Sequence, residues 1–434
     1  MDMEERYMSN RTTQTLVTVL LAILLVVVWL SMTQVARADT HVVTNANDAG
    51  NGSLRQAITD AIDGDIITFN GDYTIYLTTT LEINKRLTID GSDHTVTVSG
   101  NAAQRVFTIQ SSGVVTLSGL SIINGLTTNN GGGIDNAGTL AVVNCTLSGN
   151  TAWVGGGIYN TGSLRVVNST LSGNKTTRGG VGGAICNNSG GTATIENSTL
   201  SGNSADDGGA VYNNTTTATS RLTISNSTVS GNSAVGDYGA GGGLTNTGLM
   251  TISTSLVLSN STSYQGGGVA NMDGNLVIEN STVSGNSAAS QGGGIFNSSG
   301  VRVSVFNSTV SGNRATYRGG GIDNHGTWTL VNTIIANSLA GGDCRNSVTM
   351  TADHSLIESS GANACDLTDG VNGNIIGQDP LLGALGAYGG QTQSYALLPG
   401  SPALEAGQNC LATDQRGVSR PQPAGGACDI GAFE

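Results

Sequence analysis

Side chains capable of chemistry gather at one recurring place in this sequence. A short segment of variable length follows each Leu/Val-Ser-Gly-Asn motif and precedes a Gly-Gly-Gly or Gly-Gly-Ala motif. Its successive copies carry Trp153, Arg178, Asp206 with Asp207, Asp237 with Tyr238, Tyr264, Gln291, and Tyr317 with Arg318. Segments that vary between repeating flanks are where stacked-repeat proteins place binding residues. Asp206, Asp207 and Asp237 fall in neighbouring copies, so their carboxylates could share a Ca²⁺, which takes oxygen ligands. Arg178 lies one copy earlier, and a Ca²⁺-assisted uronate lyase needs such a set. The aromatic faces of Trp153, Tyr238, Tyr264 and Tyr317, with the guanidinium groups of Arg178 and Arg318, could instead hold sugar rings without turnover. The plainer reading is solvated loop residues, the ordinary state of charged loops.

Elsewhere the sequence is poor in catalytic motifs, and no catalytic residue is assigned. It has four histidines, His41, His94, His325 and His354. His325 lies in a turn, Asp323-Asn324-His325-Gly326, and reads as solvated. Glu196 and Glu279 share a strand position three repeats apart, roughly 14 Å at a rise of about 4.8 Å per strand. That is beyond the roughly 5–9.5 Å of a glycosidase carboxylate pair. The expectation is a protein without enzymatic activity and without a cofactor other than Ca²⁺ if the three aspartates converge.

The frame that must position these segments is a repeat. Gly131-Gly132-Gly133-Ile134 recurs seven times in kindred form, ending with Gly319-Gly320-Gly321-Ile322. Two residues after each aliphatic comes Asn136, Asn160, Asn187, Asn213, Asn246, Asn271, Asn297 or Asn324. The first and last are 188 residues apart over seven intervals, a period of about 27, which indicates a quasi-one-dimensional stack. Alternating runs such as Leu164-Arg165-Val166-Val167 have the period of a strand. Gly and Asn-Ser/Thr breaks exclude helices of useful length. Three short strands per repeat read as one coil of a parallel β-helix, an all-β solenoid. The phased asparagines should form a structural ladder, each amide bonded to its neighbour in the next coil. Thr146, Thr170, Thr199, Thr228, Thr282, Thr309 and Thr333 should form one outward column broken by Leu256; such columns can bind ice, but strand propensity alone explains threonine there.

The repeats Gly-Gly-Gly/Ala-Ile/Leu/Val and Leu-x-x-Asn resemble those of polymorphic outer-membrane proteins over residues 106–340. The segment from Asn45 to Ile67 resembles the CSLREA-type start of secreted bacterial β-helix proteins, without its cysteine. The tail from Leu397 to Glu434 is similar to the choice-of-anchor Q module at Pro399-Gly400-Ser401-Pro402-Ala403, Asp414-Gln415-Arg416-Gly417 and Asp429-Ile430-Gly431-Ala432-Phe433-Glu434. Together these resemblances imply a right-handed parallel β-helix on the pectin-lyase-like plan. They imply an exported or cell-surface protein with a structural or adhesive role, one that could bind extracellular glycan. The alternative is a polysaccharide lyase or glycoside hydrolase of that fold.

The ends give the remaining organisation. Leu16 to Leu30 is apolar but for Thr18 and is followed by Ala36-Arg37-Ala38, so residues 1–38 read as a signal peptide or N-terminal anchor. Residues 39–105 should hold the N-terminal cap and first coils, 106–340 the repeats, and 341–434 a C-terminal cap. Ser53-Leu54-Arg55-Gln56 has the form of a capping box before a short helix whose apolar face would be Leu54, Ala57, Ile58, Ala61 and Ile62. Cys344 with Cys365, and Cys410 with Cys428, lie at separations a disulfide could close, and export permits oxidation. Cys145 and Cys186 occupy different positions in non-adjacent coils and should be free. A net charge of −13 with 17 Lys+Arg argues against nucleic acid and against anionic lipid surfaces. The partners left are an extracellular polysaccharide or a host or neighbouring cell surface, with membrane contact only through an uncleaved N-terminal segment.

Overall fold

The computed structural model describes residues 38–215, 219–348 and 350–434, together with Val19. The expected leader therefore lies outside the described residues except at Val19 and Ala38. Among the described residues no helix is long and apolar enough to cross a membrane.

Over the described residues the chain is a parallel β-solenoid of about 12 turns with almost no helix, and its tail adds one antiparallel strand pair. One coil shows the plan. Ile158–Asn160 lies in a first sheet of 11 strands and Ser163–Val167 in a second of 13. Thr170–Ser172 lies in a third of 13, and Lys175–Thr176 in a fourth, narrow one of seven. The register is strict: Ile134, Ile158, Ile185 and Val211 pair in one column of the first sheet. Alternation decides what faces inward. Leu164 and Val166, Leu171 and Ile158 are all buried and join one continuous apolar core along the rod. Leucine, isoleucine and valine stack on their like in the next coil, so each coil's apolar face is covered by its neighbours rather than by a second layer.

Polar side chains close the corners between sheets. The eight asparagines of the first sheet are fully buried. Each Nδ2 donates to the next Oδ1, from Asn136 to Asn160 at 2.6 Å through to Asn297 to Asn324 at 2.8 Å. Asn324 donates in turn to Asn346 at 2.8 Å, so the ladder runs one coil past the last Gly-Gly-Gly motif. Nδ2 of several members also donates to a backbone carbonyl, as Asn136 does to Ser163 O, which fixes the amide orientation.

Two further ladders were not anticipated. The asparagines of the Ser-Gly-Asn motif, Asn150, Asn174, Asn203, Asn232, Asn260, Asn286 and Asn313, bond Nδ2 to Oδ1 at 2.9–3.0 Å. The serines of Asn-Ser-Thr form the other: Ser169 N donates to Ser198 Oγ at 3.1 Å, and Ser198 Oγ donates to Glu196 O. The asparagine before each serine holds a left-handed backbone, as at Asn168 with φ 49°, a conformation asparagine tolerates better than most residues. Cys145 takes the serine place in its coil, with its N–H donating to Ser169 Oγ at 3.0 Å.

The left-handed asparagines correct the threonine column. Asn332-Thr333-Ile334 is the local Asn-Ser-Thr, so Thr333 occupies the serine corner and Ile334 continues the outward column opposite Thr309. Nor is the column open along its length. Thr146 and Thr170 are exposed, whereas Thr282 and Thr309 are buried, because the chain after Ile376 folds back over the third sheet. Thr282 Oγ1 donates to Gln415 Oε1 at 2.6 Å, Tyr395 pairs with Ser284 Oγ at 2.7 Å, and Ala432 N donates to Thr309 Oγ1 at 3.1 Å. Ile334 and Leu356 meet Ala403 and Ile430 of this tail in a small second core.

At the other end the helix α1 (Leu54–Asp60) packs on the first strands of the second sheet. Ser53 Oγ accepts the Gln56 N–H at 3.1 Å, but the Gln56 side chain turns to Asp60 instead of completing the box. The helix stops at Asp60, so Ile62 leaves the apolar face and is exposed.

The structure contains the disulfides Cys344–Cys365 and Cys410–Cys428, while Cys145 and Cys186 are buried free thiols. Burial pushes their pKa values up, to about 11 for Cys145 and about 12 for Cys186. Since the thiolate is the nucleophile, neither should react with iodoacetamide at pH 8 in the native protein, and both should label fully after unfolding. Mass spectrometry of digests reads this directly, and native labelling of either would contradict the burial. The ladders carry a second expectation. Asn213→Ala and Asn232→Ala each strip a fully buried amide from two neighbouring coils and should cost about 1–3 kcal/mol in chemical denaturation. Wild-type stability in both would show that the ladders contribute nothing.

Candidate functional site

On its outward side the first sheet forms the floor of a narrow trough, much of it covered, since Cys186, Ala270 and Asp323 have no exposed surface. The second residue of each strand points out, and successive coils place Asp135, Tyr159, Cys186, Tyr212, Thr245, Ala270, Phe296, Asp323 and Arg345 in register. The variable segment before each Gly-Gly motif forms one rim. The corner after each ladder asparagine, including Met272, His325 and Ser347, forms the other. The rim residues are in register too, with Gln265, Gln291 and Arg318 bridged in sequence.

The residues singled out from sequence lie on the first rim or at its crest. Arg178 and Asp237 pair at 3.6 Å, both highly exposed, so the contact is worth little. Tyr238 and Tyr264 meet edge to face with centroids 5.7 Å apart. Tyr238 and Tyr317 are among the most exposed aromatics. Trp153, half exposed, donates its backbone N–H to Asn129 O, and Asn129 lines a surface hollow of about 420 Å³ together with Arg105 and Leu126.

The three aspartates do not converge. Asp206 Oδ2 accepts the Gly179 N–H at 2.7 Å, Asp207 Oδ1 accepts the Ala240 N–H at 2.7 Å, and Asp237 faces Arg178. Among the described residues no group of three His, Cys, Asp or Glu could hold a metal ion. Burial pushes the Asp207 carboxyl up, opposed by the Ala240 N–H and reinforced by Asp206. Tyr212, deep in the trough, is pushed up to about 12 by burial and then by the Asp207 charge. Both groups act as trough lining.

A charged cluster lies at the C-terminal end of the trough, joining Arg318, a candidate from the sequence, and His325, expected to be solvated, to Asp323 and Arg345, which the sequence did not single out. Asp323 has no exposed surface. Arg318 Nε lies 3.3 Å from its Oδ2, His325 Nε2 also 3.3 Å from Oδ2, and Arg345 Nη1 3.9 Å from Oδ1. Gln291 Oε1, on the same rim one coil earlier, accepts from Arg318 Nε and Nη2 at 3.1 and 2.8 Å and fixes that guanidinium. The His325 ring packs on Phe296 with centroids 5.7 Å apart, and its Nδ1 lies 2.9 Å from Ser347 Oγ. At 3.9 Å the Arg345–Asp323 contact is too long for a hydrogen bond. Asp323 Oδ1 and Arg345 Nη1 are accordingly buried atoms without a hydrogen-bond partner. Local charge is positive here, two guanidinium groups against one carboxylate, in a chain whose net charge is −13. The cluster sits where it does because Cys344-Arg345-Asn346 repeats the Ile-x-Asn pattern after a shortened loop, and Cys344 is tied to Cys365 in the terminal coil.

No family model matches this chain, and no curated protein matches it in sequence. Among solved structures it is similar to a PL6 alginate lyase in complex with a trisaccharide, at 11% identity and a TM-score of 0.49. That match covers 85% of this chain and 92% of the other. It is also similar to the pectate lyase Pel9A, at 16% identity and a TM-score of 0.47, over 93% of this chain and 98% of the other. At such identities the likeness concerns the fold, a parallel β-helix.

Proposed function

We propose that the protein binds an acidic extracellular polysaccharide along the trough of the first sheet, with the Asp323 cluster as the point where a sugar carboxylate is held. The observation that carries this reading is the convergence of Arg318 and Arg345 on one buried carboxylate, with half-exposed guanidinium groups facing solvent. Asp323 and Gln291 fix Arg318, and Arg345 turns its buried Nη1 toward Asp323, so that the exposed remainder of its guanidinium would meet an incoming carboxylate. Coils rise by about 4.8 Å, close to the length of one sugar residue, so an extended chain lying along the rod would keep step with the coils. Tyr238, Tyr264 and Tyr317 on the adjacent crest would stack on ring faces.

A second reading is a polysaccharide lyase, favoured by the imidazole of His325 beside the two guanidinium groups. Asp323 orients that ring, and Arg318 and Arg345 would neutralise the uronate carboxylate while His325 takes the proton from the adjacent carbon. A glycoside hydrolase is less well supported, since Asp323 has no second carboxylate facing it in this cluster. The structural or adhesive role has no observation of its own beyond the rod itself. Secretion, expected from the leading apolar segment, fits a polysaccharide ligand.

Binding of the protein lacking residues 1–38 to polygalacturonate, alginate and neutral dextran tests the reading. The two acidic polymers should bind and dextran should not. Arg345→Ala should weaken binding at least tenfold, or about 1.4 kcal/mol, and added salt should weaken it further. Equal binding of dextran, or no loss in Arg345→Ala, would remove the basis for the proposal. For the lyase reading, unsaturated uronate should accumulate by ultraviolet absorbance without added Ca²⁺ and should disappear in His325→Ala. Binding with no such product would leave a glycan-binding rod.

A further inference from the structure

The geometry points to a second chemistry at the Asp323 cluster: Ser347, His325 and Asp323 form a hydrolytic relay that removes small acyl esters from the bound polysaccharide. This inference rests on the polysaccharide-binding reading for its substrate and on three side chains for its mechanism. Ser347 is exposed, His325 is half buried, and Asp323 is inaccessible. The serine hydroxyl is 2.9 Å from His325 Nδ1, and His325 Nε2 is 3.3 Å from Asp323 Oδ2. A nucleophile bonded to a base, and the base oriented by a buried carboxylate, is the arrangement that activates a hydroxyl.

The hydrogen bonds fix the proton positions. A carboxylate only accepts, so His325 carries its proton on Nε2, and in the neutral ring Nδ1 is left as the acceptor. Ser347 Oγ also lies 3.0 Å from Asn324 O. Thr161 and Thr247 hold the same corner in their coils and reach the equivalent carbonyls of Asn136 and Asn213 at 3.4 and 3.2 Å. A hydroxyl at this corner thus has a structural use, and Ser347 differs from both threonines in facing an imidazole. Its hydrogen can turn from the carbonyl to Nδ1, which is the step that activates it.

In the reaction, Ser347 Oγ attacks the ester carbonyl carbon and passes its proton to His325 Nδ1. Arg345, two residues earlier in the chain, would supply positive charge to the oxygen on which the negative charge develops. The bond to the sugar oxygen then breaks, and that oxygen takes the proton from Nδ1. Water, deprotonated by the same nitrogen, cleaves the acyl-serine and restores the hydroxyl. The sum is ester plus water giving carboxylic acid and a free sugar hydroxyl, with no metal or redox partner.

The test uses the chain lacking residues 1–38 and acetylated polygalacturonate, with acetate release and polymer binding measured in parallel. The wild type should release acetate and should be labelled covalently by a fluorophosphonate probe. Ser347→Ala should lose at least about 10³-fold in acetate release and all labelling, a loss far larger than any change in polymer binding measured on the same variant. Ser347→Thr keeps a corner hydroxyl and tests whether a fold change explains the loss: an unchanged thermal midpoint with lost labelling in Ser347→Ala supports the relay. Polymer binding without acetate release by the wild type overturns the inference and leaves the binding proposal standing. Failure to bind the polymer, with probe labelling at Ser347 retained, overturns the binding proposal instead. Acetate release by Ser347→Ala at the wild-type rate overturns the relay outright.

Discussion

The buried amide-to-amide hydrogen bond between equivalent asparagines is the interaction on which the solenoid depends. A coil of about 27 residues must turn sharply several times, and each turn leaves backbone and side-chain polar groups inside. In a dry interior an unpaired amide would cost about 1–3 kcal/mol. Stacking one asparagine on the next satisfies donor and acceptor together, but only if every coil keeps the same register. The apolar columns tolerate leucine, isoleucine, valine and alanine interchangeably; the ladders tolerate far less. Register is therefore set by the polar corners and filled by the apolar sheets.

That division explains how much could be read from the chain. The Gly-Gly-Gly/Ala-Ile-x-Asn pattern aligns eight coils by eye, and the strands, the inward columns and the first ladder follow from it. The second ladder was visible in the same way, since Leu/Val-Ser-Gly-Asn recurs with equal regularity. Thr333 was misplaced because Asn332-Thr333-Ile334 matches Asn-Ser-Thr by residue type at the wrong position; aligning on the left-handed asparagine puts Ile334 in the column.

The functional face was less legible. Its chemistry lies at the middle position of the three-residue strand, which faces outward and carries a different residue in nearly every coil. Asp323, Arg345 and Ser347 have no repeated pattern to announce them, and Arg345 belongs to a coil whose Gly-Gly-Gly motif has decayed to Gly341-Gly342-Asp343. His325 looked like a solvated turn residue because nothing in the sequence brings Ser347, 22 residues on, beside it. The coil length does so: one turn of the solenoid converts that separation into contact. The aspartates near residue 206 looked convergent for the opposite reason. Adjacency between coils places backbones side by side, but each of those carboxylates is already engaged by a backbone N–H or an arginine.

The folded-back tail has a consequence for how such a chain can change in length. A stack of similar coils can gain or lose one by duplication or deletion with little disturbance, since each touches only its neighbours. Here Gln415 reaches Ser255 and Thr282, Thr392 reaches Thr254, and Gly431 reaches Asn332. Those contacts act as a ruler laid against the last coils. A duplicated coil between Asn136 and Asn246 would lengthen the rod and leave the ruler matched. The same duplication between Asn260 and Asn324 would carry one set of contacts about 4.8 Å away from the other. Variation in repeat number among descendants of this chain should therefore fall in the first half of the stack, leaving the trough end with Asp323 fixed relative to the tail.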